Sequence, residues 1–162
     1  MPSTHKKILI RKQDRQLVRG FVEPDSLADM DPVELLDTQG QGVRIPQSEI
    51  RLAYFMREFT AQEPSWRRRS GVRPRHPGLW VRLRFQDDTV LEGVVPNNLL
   101  ALSGFGLHLL PPDSSGEVQR IYVPRNALRE CQVLGVIGAQ RRTRTTPVTR
   151  EQIQLFPASP PA

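Results

Sequence analysis

One cysteine, Cys131, is all that the 162 residues contain, and this excludes an internal disulfide framework and any multi-cysteine metal site. Histidine is nearly as scarce. His5, His76 and His108 stand far apart, with no metal-ligand spacing to Cys131. Aromatic residues make up 6% of the chain, too few to fill two cores and line a groove as well. No apolar run approaches the roughly 18 residues of a membrane-crossing helix. The opening stretch MPSTHKKILIRKQD has basic residues but lacks the apolar centre of a secretory leader. These absences predict a cytoplasmic protein with no membrane insertion, no metal and no cofactor.

What is present points to strands. Fifteen prolines and eleven glycines disfavour long helices and suit short strands joined by turns. Hydrophobic residues form 38% and charged residues 25% of the chain, enough for one ordinary domain or two very small ones. The net charge of +6 is unevenly placed. Residues 17–56 carry three basic groups against seven acidic, and residues 80–138 five against six. The excess is in the leader, in residues 57–79 with six basic groups against two acidic, and in the tail from residue 139. Solvated linker charge is the simpler reading of such runs.

The strongest pattern is internal repetition. With an offset of 73, Ile8, Ile10, Asp14, Val18 and Gly20 fall on Val81, Leu83, Asp87, Leu91 and Gly93. Each copy alternates apolar and polar residues, turns at the Asp and resumes, which predicts a β-hairpin. Downstream, Asp37 and Gly40 align with Asp113 and Gly116, Ile45-Pro46 with Val123-Pro124, and Ile50 with Leu128. Gly40 and Gly116 read as turn residues. Gly20 and Gly93, inside strands, read as bends or bulges at a tight barrel corner, where a side chain would clash. Pro46 and Pro124 each precede a stretch too short for a helix and suited to a 3₁₀ turn. The prediction is all-β: strands at 6–12, 16–23, 32–37, 42–46 and 50–56, and again at 79–86, 89–96, 105–110, 117–124 and 130–137. Each set of five antiparallel strands is expected to close into a small barrel. Residues 1–59 would form the first barrel, 60–78 a basic linker, 79–138 the second barrel and 139–162 a loose tail. Units of this size are marginal alone, so the halves should pack together or the chain should form a homodimer.

The order of strands, turns and I-P or V-P steps is similar to the small barrels of the Sm-like and Src-homology-like type. IYVPRNAL resembles the fourth strand and 3₁₀ turn of Src-homology barrels, and VRLRFQDDTVLEGVV the opening hairpin of Sm-like proteins. The two-copy arrangement resembles an uncharacterised bacterial family with tandem copies of this unit, through Gln13 to Phe21 and Leu35 to Phe59, including AYFMREF. That resemblance implies a fold and no activity. The uridine pocket of Sm-like proteins does not carry over, because Ser103-Gly104-Phe105 stands near the place of its loop Asn and Pro124 follows the fourth strand. A polyproline groove does not carry over either, for want of exposed aromatics.

Catalytic constellations are missing. Ser103, His108 and Asp113 have triad residue types but lie along one short stretch without a strained Ser turn. His108 reads as an outward strand residue and Cys131 as an inert core or boundary thiol. SGFG at 103–106 follows no strand-to-helix pattern, so it is no phosphate cradle. Three functions remain as expectations. The first is a non-catalytic interaction or regulatory module, an adaptor with a protein partner. The second is RNA or single-stranded nucleic-acid binding through Arg67, Arg68, Arg69, Arg73 and Arg75 with Trp66 as a stacking platform, joined by Lys6, Lys7, Arg141 and Arg142. The third is binding of cyclic di-guanylate, since Arg69 and Arg73 with Ser103 and Gly106 resemble the motifs of PilZ domains, although Ala101 stands at their acidic position.

Overall fold

Each half opens where alternating apolar residues meet an Asp that can fold the chain back on itself. Asp14 Oδ1 accepts the Gln16 amide at 3.0 Å and Asp87 Oδ1 accepts the Thr89 amide at 3.1 Å. The next residue in each turn, Arg15 or Asp88, takes a left-handed φ of 71° or 62°. The computed structural model describes residues 4–64, 73–102, 104–112 and 116–138. It contains ten strands in two antiparallel sheets and almost no helix.

The first half supplies β1 (Lys6–Lys12), β2 (Leu17–Val22), β3 (Val33–Asp37), β4 (Gly42–Ile45) and β5 (Ile50–Met56). A single helical turn, α1 (Ser26–Asp29), lies between β2 and β3. The second half supplies β6 (Gly78–Phe85), β7 (Val90–Val95), β8 (Gly106–Leu109), β9 (Val118–Pro124) and β10 (Leu128–Ile137). The strand positions agree with the sequence pattern to within two residues. The 3₁₀ turns Gln47–Glu49 and Arg125–Ala127 follow Pro46 and Pro124, whose φ of −60° and −63° suit the entry.

Registers repeat at fixed offsets. Ile8 pairs with Gly20 and Val81 with Gly93; Arg11 pairs with Leu17 and Arg84 with Val90. Between first and last strands, Ile10 faces Ala53 and Leu83 faces Cys131, an offset of 73 on one strand and 78 on the other. Leu35 faces Val43 and Leu109 faces Ile121 in the third and fourth strands.

The described residues do not show two separate five-stranded barrels. Among the described residues no sheet closes on itself, and one sheet runs through both halves in the order β4-β3-β2-β1-β5-β9-β8. The other has three strands, β10-β6-β7, and β7 reaches β8 only through a single bridge, Val94 with Leu110. The cause lies in β1 and β5. Ile8, Ile10, Ala53 and Phe55 face one core with Val22, Val33 and Ile45, whereas Leu9, Leu52, Tyr54 and Met56 face another with Val81, Leu83 and Ile121. A strand that is apolar on both faces must be covered on both. The second half covers the rear of the first, and pairing of β5 with β9 joins them.

No register shift falls at Gly20 or Gly93. Their reason is close approach. A Cβ at Gly20 would sit 2.3 Å from the Leu36 carbonyl oxygen, and one at Gly93 2.8 Å from that of Leu110. The third strand of each half crosses there, and only glycine leaves room.

Candidate interaction surface

The final strands of the two halves occupy equivalent places and have opposite surroundings. β5 carries IRLAYFM and is buried at every position but Arg51: β1 and β9 pair with its two edges, and the two cores cover its two faces. β10 carries LRECQVLGVI and, among the described residues, pairs only with β6. Its other edge is open among the described residues, with Val133 55% and Val136 62% exposed. Phe55, the counterpart of Val133, is 3% exposed. An open edge presents unpaired backbone N–H and C=O groups, a template for another strand. At the far end of the seven-stranded sheet β4 also has one open edge among the described residues. There Arg44 Nε donates to Glu34 across the pair at 2.8 Å.

Cys131 lies on the open strand and is exposed, so of the two readings, core or boundary thiol, the structure leaves the boundary one. Partial burial still raises its pKa, so it carries little thiolate at neutral pH.

The joint between halves is fastened by a buried polar chain. Tyr122 donates its hydroxyl to Gln47 Oε1 at 3.0 Å, and Gln47 Nε2 donates to the carbonyls of Leu27 at 2.6 Å and Met30 at 2.9 Å. Burial pushes the Tyr122 phenol up to about 12, so it stays a donor at any ordinary pH. His108, expected to point outward, is instead partly buried against Tyr122 and Phe55, at ring-centroid distances of 5.1 and 6.0 Å. Burial, with Arg120 adding to it, lowers its pKa to about 4, and its Nδ1 has no protein partner. A neutral, sequestered imidazole fits a packing role.

A cleft of about 220 Å³ lies between the two Asp turns, lined by Gln13, Arg15, Arg51, Phe85, Gln86, Asp87 and Ala127. Arg51 reaches across from β5 to the Asp87 carboxylate and lies over the Phe85 ring at 4.9 Å. Burial would raise the Asp87 pKa, but hydrogen bonds from Thr89 and Arg51 outweigh it and hold the group near 2. The guanidinium is therefore engaged within the fold. Among the described residues no group of three or more His, Cys, Asp or Glu side chains is placed to hold a metal ion, and no helix is long and apolar enough to cross a membrane.

The basic set read from the sequence is largely outside the described residues: Trp66, Arg67, Arg68, Arg69, Arg141 and Arg142 lie there. Arg73 and Arg75 are described and exposed. Lys7 is held by Glu58 at 2.7 Å and sits 5.9 Å from the Phe59 ring centroid. The motif pair resembling PilZ domains is likewise split, because Arg69 and Ser103 are outside the described residues. The SGFG stretch has a structural use: the Phe105 amide donates to the Ala28 carbonyl of α1 at 3.0 Å, and the Phe105 carbonyl accepts the Arg125 amide at 2.8 Å. Asp113, like Ser103, lies outside the described residues. Gly40 has a φ of +80° in the β3–β4 turn, whereas Gly116 has open space around it.

Sequence reasoning allowed an exposed strand edge for meeting partners but did not place it on β10, and it missed the Tyr122–Gln47 fastening. The first had a signal. RLAYFM is apolar on both faces and RECQVL is polar on most of both, so the aligned strands cannot share one environment. The second had none, since nothing marks Gln47 as a buried acceptor.

A model of a family described as being of unknown function (DUF6982) matches residues 4–135. No curated protein and no solved structure matches the chain.

Proposed function

The chain belongs to the DUF6982 family, and from that premise we propose that it is a non-catalytic interaction module made of two fused copies of a small five-stranded unit of the Sm-like and Src-homology-like kind. The equal registers at offsets of 73 and 78 support the two copies. The observation that carries the interaction reading is the open edge of β10, a ten-residue strand with Val133 and Val136 exposed where its counterpart β5 is covered. Its mode is addition of a partner strand: main-chain hydrogen bonds supply the affinity, and alternate side chains supply the choice of partner.

The test is capture by the full chain, compared with a Val133→Lys/Val136→Lys variant, followed by hydrogen exchange on the purified complex. The expected result is a partner lost with the variant and slowed exchange of β10 amides in the complex. Capture that is indifferent to the variant, or protection that leaves β10 untouched, refutes the reading.

A further inference from the structure

We propose that the protein assembles head to tail with copies of itself, the open edge of β10 pairing antiparallel with the open edge of β4 of a second copy. This rests on the interaction reading above and names its partner. Each half has a last strand and a fourth strand with an edge to offer. Within one chain, the last strand of the first half (β5) pairs with the fourth strand of the second (β9), as Ala53 with Tyr122, Tyr54 with Ile121 and Phe55 with Arg120. The two edges left over are the last strand of the second half and the fourth strand of the first. They are the repeats of the two that already fit each other.

The register follows from the offsets. Ala53 corresponds to Cys131 and Tyr122 to Arg44, so Cys131 faces Arg44 of the second copy, Gln132 faces Val43 and Val133 faces Gly42. Of the four register pairs of the internal joint, three map onto β4, Gly42–Ile45, and the fourth, Met56 with Val118, maps to Gly40 in the turn before it. Among the described residues nothing beyond the chain neighbours lies within 4 Å of a Cβ position at Gly42, so the incoming valine meets open space. Each joint leaves one free β10 and one free β4, hence growth continues until the assembly closes on itself.

The mass of the full-length protein in solution is the first measurement, expected at a multiple of the 18.4 kDa chain. Val133→Lys places a charge at an exposed position of the edge and is expected to give folded single chains whose melting no longer depends on concentration. Gly42→Lys blocks the other edge. A mixture of these two variants retains one good joint and is expected to stop at two chains. Arg44→Cys, exposed and unrelated to any core, is expected to form interchain disulfides with Cys131 under mild oxidation.

Three results overturn the proposal. One is single-chain mass at every concentration. Another is crosslinking confined to Cys131 with Cys131, the mark of a two-fold β10 dimer. The third is slowed β10 exchange in single chains, which means that another part of the chain, such as residues 139–162, covers the edge. Single-chain mass with edge-dependent capture of another protein sinks self-assembly and leaves the interaction reading standing. Loss of both sinks the two together.

Discussion

β5 and β10 end equivalent halves, pair with equivalent first strands in equivalent register, and differ in what lies on their other side. β5 is covered by β9 and reads as apolar on both faces. β10 is open and reads as polar on most of both. Composition thus follows the neighbour and not the position in the fold. A repeat that keeps its registers can still assign its copies different work, one as an internal seam and the other as a free edge.

The comparison is broken most severely by truncating matched positions. Phe55→Ala is expected to cost about 3–5 kcal/mol, whereas Val133→Ala should stay within about 0.5 kcal/mol. Urea midpoints of the two variants check this, and equal losses would abolish the contrast.

Next in size is the crossing of strands at the paired glycines. Gly20→Ala forces Leu36 away from a 2.3 Å approach and is expected to lose about 1–3 kcal/mol. Gly93→Ala, with 2.8 Å to yield, should lose less. Thermal melting of both variants ranks them.

His108 sharpens the contrast through pH. Its pKa is about 4 in the fold against an ordinary 6.5, so the unfolded chain takes up the proton first. The contribution is fully present above pH 6.5 and declines as the pH falls towards 4. At roughly 1.4 kcal/mol per pK unit, a loss of order 1–3 kcal/mol is expected across that window. His108→Leu should flatten the decline in a series of melting curves taken from pH 7 to 4.

The smallest effects come from the matched arginines. Arg51 is largely covered, packed on Phe85 and bound to Asp87 across the seam. Arg129, its counterpart, reaches Asp88 from an exposed site at 3.0 Å. Arg51→Ala is expected to cost about 1 kcal/mol through lost packing, and Arg129→Ala less than about 0.5 kcal/mol. A ranking in reverse order in denaturant titrations would contradict the seam's role.

Much of the fold was legible because strand signals are local. Alternation in VRLRF, Asp at 14 and 87, and Pro at 46 and 124 place the elements without knowledge of distant partners. The pairing of β5 with β9 was not legible in the same way. Periodicity tells which side chains are buried and not which surface buries them. The apolar run in RLAYFM signalled two-sided burial, but it fits a closed barrel packed on a neighbour as well as a continuous sheet. His108 was misplaced for the same reason. Its burial against Phe55 and Tyr122 depends on strands that local sequence does not name.

The Tyr122 hydroxyl reaches from the second half into a polar niche built by Gln47, Leu27 and Met30 of the first, so neither half is complete by itself. Two separately expressed polypeptides, 1–64 and 73–138, should each remain unstructured and recover a common fold on mixing. The molecule is thus a natural candidate for fragment complementation, in which reconstitution reports that two tethered cargoes have met.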